Sequence, residues 1–195
     1  MSVVMAVKQG DRIWLGADTQ STRGTDRYNQ LSPYDFKVIK FDNGILLAMT
    51  GETASSQFIL AHPEWFTVDE KKGLTKEHIV TKIVPKMYEA LEEEELLDRE
   101  DRGTPPTTRC TVLIAYQDKL FEICRDLRVI RFEDYLAIGS GSNAAIYGLS
   151  KIDETKDINE QLLQLLKISA KHDANVSAPF VLIDTQNLQY VIKEN

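Results

Sequence analysis

The sequence is poor in cysteine, with only Cys110 and Cys124 in 195 residues. Two cysteines make no disulfide framework and no thiolate metal cage. Both fall in apolar runs that read as strands, where a free thiol behaves as a small core hydrophobe. Histidine is also scarce. His62, His78 and His172 are far apart, with no H-E-x-x-H and no ligand spacing, so no metal site is legible. No run of about 18 apolar residues occurs, which excludes a membrane-spanning helix. The opening residues, MSVVMAVKQGDR, lack a basic segment ahead of a long apolar stretch, so they do not read as a secretory signal. Positive charge is in short supply. Lys and Arg total 23 against 30 Asp and Glu, for a net charge of −7. That argues against a nucleic-acid binder, which needs a basic footprint. Low-complexity segments are absent as well.

What is there is apolar material in globular proportion, 43% of the residues, with 27% charged. That suffices for one core, and the length favours a single domain. The composition fits a cytoplasmic protein.

The order of elements is informative. Val3–Val7 and Ile13–Asp18 are apolar runs around Lys8-Gln9-Gly10-Asp11-Arg12, a hairpin pattern. A polar loop is expected over Thr19–Asp35. Lys37–Phe41 and Ile45–Thr50 flank Asp42-Asn43-Gly44, and Asn-Gly is the strongest short hairpin signal because a type I′ turn needs two residues with positive φ. Glu52–His62 has helical composition and stops at Pro63. Thr75–Leu97 carries apolar residues three and four apart, hence one buried helix face, with Pro85 expected to kink it. The run Glu92–Glu95 reads as a solvated helix end. Gly103-Thr104-Pro105-Pro106 breaks the chain. Strands follow at Cys110–Tyr116, Leu120–Cys124, Arg128–Phe132 and Tyr135–Ile138, then helices at Asn143–Ile152 and Ile158–His172. Phe180–Asp184 and Leu188–Ile192 form a last hairpin. Runs of strands alternating with pairs of helices argue α+β with mainly antiparallel sheet. Two strand sets and two helix pairs suggest two sheets face to face with helices outside both.

Gly139-Ser140-Gly141-Ser142-Asn143-Ala144 matches G-x-G-x-x-G/A, the dinucleotide fingerprint. A dinucleotide unit then requires a parallel strand after the helix, with an acidic residue at its end. A second helix follows here instead, so the better reading is a tight strand-to-helix turn. No Gly-Lys-Ser/Thr follows, so it is not a P-loop either.

Ser2 carries a different chemistry. If Met1 is removed, its hydroxyl and a free α-amine share one residue. An α-amine has a pKa of about 7.7–8.0, so near neutral pH it can take the hydroxyl's proton directly or through water. An N-terminal Ser is then a nucleophile with its own general base. Many chains begin Met-Ser without such meaning, so the feature needs company.

The company is an ordered set. Gly16-Ala17-Asp18 places Asp18 sixteen residues after Ser2, Lys37 opens Lys37-Val38-Ile39, and Gly51 closes Ala48-Met49-Thr50-Gly51 fourteen residues beyond Lys37. Gly139-Ser140-Gly141-Ser142, Asp173 and Ser177 follow. Together they resemble the proteasome β-subunit family of N-terminal-nucleophile (Ntn) hydrolases, including the HslV-type peptidases, over nearly the whole chain. The resemblance implies a single proteasome-like peptidase domain over 1–195, about the size of a family subunit without a propeptide. Its fold would be a four-layer αββα sandwich of two mainly antiparallel sheets. It implies a threonine-protease-like endopeptidase with Ser2 in place of the family's Thr, Asp18 and Lys37 as the family's Asp and Lys, and Gly51 as the oxyanion donor. Ser140, Asp173 and Ser177 would set the amine, the spacing from Asp173 to Ser177 being one residue longer than usual. Ser lacks the γ-methyl of Thr, so its hydroxyl is less pre-set. The resemblance further implies peptide or unfolded-protein substrates, a homo-oligomeric ring, service by an ATP-dependent unfoldase, and no cofactor or metal. The alternatives are an inactive ring-forming subunit and an amidase acting on small amides.

Overall fold

The structure, a computed structural model, describes residues 2–99 and 105–194. Strands β1 (Val4–Gln9) and β2 (Arg12–Asp18) form the first hairpin. Next comes a second, small hairpin, β3 (Gln20–Arg23) and β4 (Asp26–Asn29), where a loop was expected. Its strands are polar and largely exposed, so they carry no alternation of apolar residues. What makes the turn is Gly24 with φ +60°. Strands β5 (Val38–Lys40) and β6 (Leu46–Gly51) pair as the Asn-Gly signal predicts. Gly44 has φ +85° but Asn43 does not turn positive, and Phe41 N–H donates to Ile45 O at 2.8 Å. The connection is therefore a three-residue loop with Gly in the left-handed position, not a type I′ turn.

Helix α1 (Thr53–Leu60) is followed by a 3₁₀ turn at Pro63–Trp65. The long helix is composite: α2 (Lys76–His78), a π-helical stretch Ile79–Ile83, and α3 (Val84–Glu93). Pro85 has no N–H to donate one turn back, and the π-helical stretch ends two residues before it. The helix stops short of Leu97. Glu95 turns to φ 56° and Leu96 N–H reaches back to Leu91 O at 2.9 Å, a C-terminal cap. Glu92–Glu95 is the exposed helix end expected. Leu97 lies instead in β7 (Leu97–Asp98), paired with β8 (Thr107–Thr108). The break at Gly103-Thr104 lies outside the described residues.

Strands β9 (Cys110–Tyr116), β10 (Lys119–Ile123), β11 (Val129–Phe132) and β12 (Tyr135–Ile138) come next. Helices α4 (Ser142–Leu149) and α5 (Ile158–His172) precede β13 (Phe180–Asp184) and β14 (Val191–Lys193). The last strand begins later than the apolar run, because the loop after Asp184 wraps its carboxylate with the N–H groups of Gln186 and Asn187, both at 2.8 Å.

The strands form two antiparallel five-stranded sheets, ordered β12-β1-β2-β13-β14 and β11-β10-β9-β6-β5. Strand period two decides what lies between them. Val4, Ala6, Leu15 and Ala17 of one sheet meet Leu46, Ala48, Leu113 and Ala115 of the other in the central core. The opposite face of β1, Val3, Met5 and Val7, packs on Leu149, Leu162 and Leu166 of α4 and α5. On the far side Leu47 and Met49 pack on Ile79, Ile83, Met87 and Leu91. The molecule is thus a four-layer αββα sandwich. At β1 and β6 both faces are covered, which explains why these strands read as unbroken apolar runs.

Candidate active site

One end of the sandwich collects the residues at issue. The pairing of β1 with β12 sets Val4 opposite Ile138, and continuing it by two places brings Ser2 opposite Ser140. The pairing of β1 with β2 sets Val4 opposite Ala17, so Val3 meets Asp18. Hydrogen bonds follow this register. Ser2 N–H donates to Ser140 Oγ at 3.2 Å, Gly141 N–H to Ser2 O at 3.1 Å, and Val3 N–H to Asp18 Oδ1 at 2.9 Å. Ser2 is 95% buried, at 5% exposure.

The Gly-Ser-Gly turn is what lets Ser2 lie there. Gly139 has φ +96°, and a Cβ on it would overlap the Ser2 carbonyl. The turn is a strand-to-helix connection, and α4 leads to another helix within an otherwise antiparallel architecture, so the fingerprint match holds no dinucleotide unit. Gly139→Ala should therefore cost about 2 kcal/mol or more from backbone strain alone and push Ser2 out of place. Urea denaturation checks the first effect; a wild-type midpoint would contradict it.

Asp18, at the end of β2, is fully buried and saturated with donors. Beside Val3 N–H it accepts from Gln20 N–H at 3.0 Å and from Lys37 Nζ at 2.6 Å. Lys37 stands just before β5 with its side chain 9% exposed, and also donates to Gln20 O at 2.6 Å. Burial pushes Lys37 below the usual lysine range against the pull of Asp18, with Asp173 also favouring its charge. Burial likewise pushes Asp18 up, against Lys37 and the two N–H donors. The pair is held by geometry at an electrostatic cost, the balance expected of a buried ion pair.

Gly51 ends β6 with φ +132°, and a Cβ on it would collide with Arg109 O and Cys110 Cα. Only glycine fits. Ser2, Lys37 and Gly51 line one cavity of about 400 Å³, with Met49, Ala54 and Leu60 on its apolar side.

Asp173 caps α5. Its Oδ1 accepts from both the N–H and the Nδ2 of Asn175, each at 2.9 Å. Burial tends to raise its pKa, but the nearby Ser140 hydroxyl and the Asn175 bonds outweigh that and hold it below the usual carboxylate range. Its Oδ2 is buried without an aligned partner among the described residues. The structure thus brings six expected residues to one end: Ser2, Asp18, Lys37, Gly51, Ser140 and Asp173. It does not bring Ser177 to them. The Ser177 hydroxyl donates to Asn29 Oδ1 at 3.3 Å and faces a separate cleft beside Arg27 and Lys171. Asn175, two residues after Asp173, takes up the carboxylate instead. The Asp-x-Asn spacing, which suits an Asx turn, is the signal that was available. Gln20 was also missed; it stands two residues after Asp18, the same spacing.

No protein-family profile and no curated protein matches the sequence. Solved structures do match. A Thiobacillus denitrificans protein called BPH superposes with a TM-score of 0.76 at 23% identity, covering 96% of this chain and 98% of that one. Anbu, an ancestral β-subunit from Yersinia bercovieri, gives 0.72 at 12% identity over 99% and 87%. Eukaryotic HslV from Trypanosoma brucei gives 0.62 at 18% identity over 93% and 98%. BPH has also been solved in complex with epoxomicin, and Anbu from Pseudomonas aeruginosa as a helical assembly. The chain has the fold of the proteasome-like Ntn hydrolases.

Proposed function

We propose that the chain is a peptidase subunit that cleaves peptide bonds through an acyl-enzyme on Ser2, once Met1 is removed. The observation that carries this reading is the chain of contacts from Ser2 N through Ser140 Oγ towards Asp173, whose buried Oδ2 has no aligned partner among the described residues. A buried carboxylate oxygen without a donor calls for one. The α-ammonium that Met1 removal would create at Ser2 supplies it.

The roles we assign are these. The amine takes the Ser2 hydroxyl proton. Lys37, held by Asp18 and Gln20 O, favours the alkoxide as a nearby cation. Gly51 N–H receives the oxyanion of the tetrahedral intermediate; its collapse breaks the C–N bond as the Ser2 ammonium gives its proton to the leaving amine, and water then hydrolyses the ester to release the acyl group. The assembly is a homo-oligomeric ring in the cytoplasm acting on peptides or unfolded chains, with an ATP-dependent unfoldase as feeding partner. No helix of the described residues is long and apolar enough to cross a membrane.

Incubation with epoxomicin and a panel of peptide aldehydes, followed by peptide mass mapping, tests the reading. An adduct on Ser2 is expected. No adduct with any of them, on a chain lacking Met1, would refute it.

The pH dependence follows. Activity should rise as the Ser2 amine loses its proton, the pairing with Asp173 favouring its charged form and so placing this limb at or above the ordinary α-amine range of about 7.7–8.0. It should fall again as Lys37 loses its charge, and because burial lowers that pKa the alkaline limb should lie below the ordinary lysine value of about 10.4. A pH profile of kcat/KM checks this; a plateau extending past that value would contradict it.

A further inference from the structure

The residue directly after Gly51, whose N–H is assigned to a developing negative charge, is Glu52, and both line the same cavity. Like charges at short range oppose each other, so an unpaired carboxylate there would raise the barrier that Gly51 lowers. Glu52 is the residue before α1 and accepts the Ser55 hydroxyl at 2.8 Å.

Arg109 answers it from across the sheet. Its Nη1 lies 3.3 and 3.5 Å from the two Glu52 oxygens. Its backbone carbonyl accepts Glu52 N–H at 3.1 Å and is the atom against which Gly51 is pressed. The β6–β9 register, Gly51 opposite Cys110, holds all three residues in one arrangement. Arg109 also lines a second cleft of about 470 Å³ together with Gly51 and Ser140, the other charges there being Glu52 and the Arg125–Asp98 pair at 3.2 Å. Glu52 lines both this cleft and the cavity of Ser2 and Lys37, and Arg109 the cleft alone, so the pair stands at the edge of the reacting site.

We infer that Arg109 is a positioning residue that neutralises Glu52 beside the oxyanion donor, an inference that rests on the function proposed above. The Arg109 and Glu52 side chains are 37% and 40% exposed. Pairs so exposed add little to stability, which separates a role in the reaction from a role in folding.

A set of three variants tests it on the full chain, with a fluorogenic peptide as substrate. Arg109→Gln should lower kcat about tenfold with KM unchanged, since one full oxyanion donor is worth about a hundredfold or more and this is a perturbation of one. Glu52→Gln should lose nothing, and the double variant should behave like Glu52→Gln. The Arg109→Gln defect should shrink as salt is raised, because exposed charges are screened. Melting temperatures should stay at the wild-type value throughout. A bracing role would instead make Glu52→Gln as slow as Arg109→Gln and leave both indifferent to salt; that result overturns the inference, as does full activity in Arg109→Gln. Adduct formation on wild-type Ser2 is the control. Without it the proposed function falls and takes this inference with it; with it, equal rates in all variants refute the inference alone.

Discussion

Ser2→Ala is expected to abolish peptide hydrolysis, with kcat falling by at least about ten-thousandfold, the scale seen when a nucleophile is deleted. The folded state should hardly notice. The bonds that seat residue 2, from its N–H to Ser140 Oγ and from Gly141 N–H to its carbonyl, belong to the backbone and survive the change. Ala is as small as Ser, so Met1 removal should proceed as before, and the loss would report the hydroxyl alone. Ser2→Thr keeps hydroxyl and amine and adds the methyl that restricts χ1, so it should remain active. Steady-state kinetics of the two variants, with thermal melts as control, decide the matter. Hydrolysis that persists in Ser2→Ala would place the nucleophile elsewhere and favour another chemistry.

The second large effect concerns Lys37. Lys37→Met keeps an unbranched side chain one atom shorter and removes the charge. Activity should fall by about a thousandfold, because the alkoxide loses its nearby cation. Stability should fall too. Asp18 is fully buried, and without Lys37 Nζ at 2.6 Å it retains, among the described residues, only the N–H groups of Val3 and Gln20. Breaking a buried pair from one side costs about 3–5 kcal/mol. The sign with pH is definite. Burial already raises Asp18 above its unfolded value, and losing Lys37 raises it further. The folded state then binds the proton more tightly than the unfolded chain, so the variant's stability falls as pH rises through the folded pKa and recovers on acidification. Asp18→Asn added to Lys37→Met should restore much of the stability and none of the activity. Denaturation at several pH values separates these results; a Lys37→Met variant with wild-type stability at neutral pH would show that the pair is not what holds this corner.

Much of this was legible in the sequence because the site is built from strand ends. Ser2, Asp18 and Gly139-Ser140 adjoin apolar runs whose pairing is dictated by which face is buried, and a slip by one residue would expose the core. The register that buries Val4, Ala6 and Leu15 between the sheets therefore also carries Ser2 to Ser140 and Val3 to Asp18. Features without a hydrophobic signature were not legible. The β3–β4 hairpin is polar on both faces. The π-helical stretch before Pro85 shares its apolar spacing with an ordinary helix. Asn175 stands where Ser177 was expected, because loop geometry and not periodicity decides which side chain turns back onto Asp173. Glu52 and Arg109 are 57 residues apart and meet only through the β6–β9 pairing.

The claim at the centre of this account is a free amine on Ser2. The intact mass of the protein purified from its native host tests it most directly. The account predicts a chain lighter than the full sequence by one methionine residue, beginning at Ser2. A native chain that keeps Met1 throughout would leave the Ser2 nitrogen in a peptide bond, with no base for its hydroxyl, and would contradict the proposed peptidase.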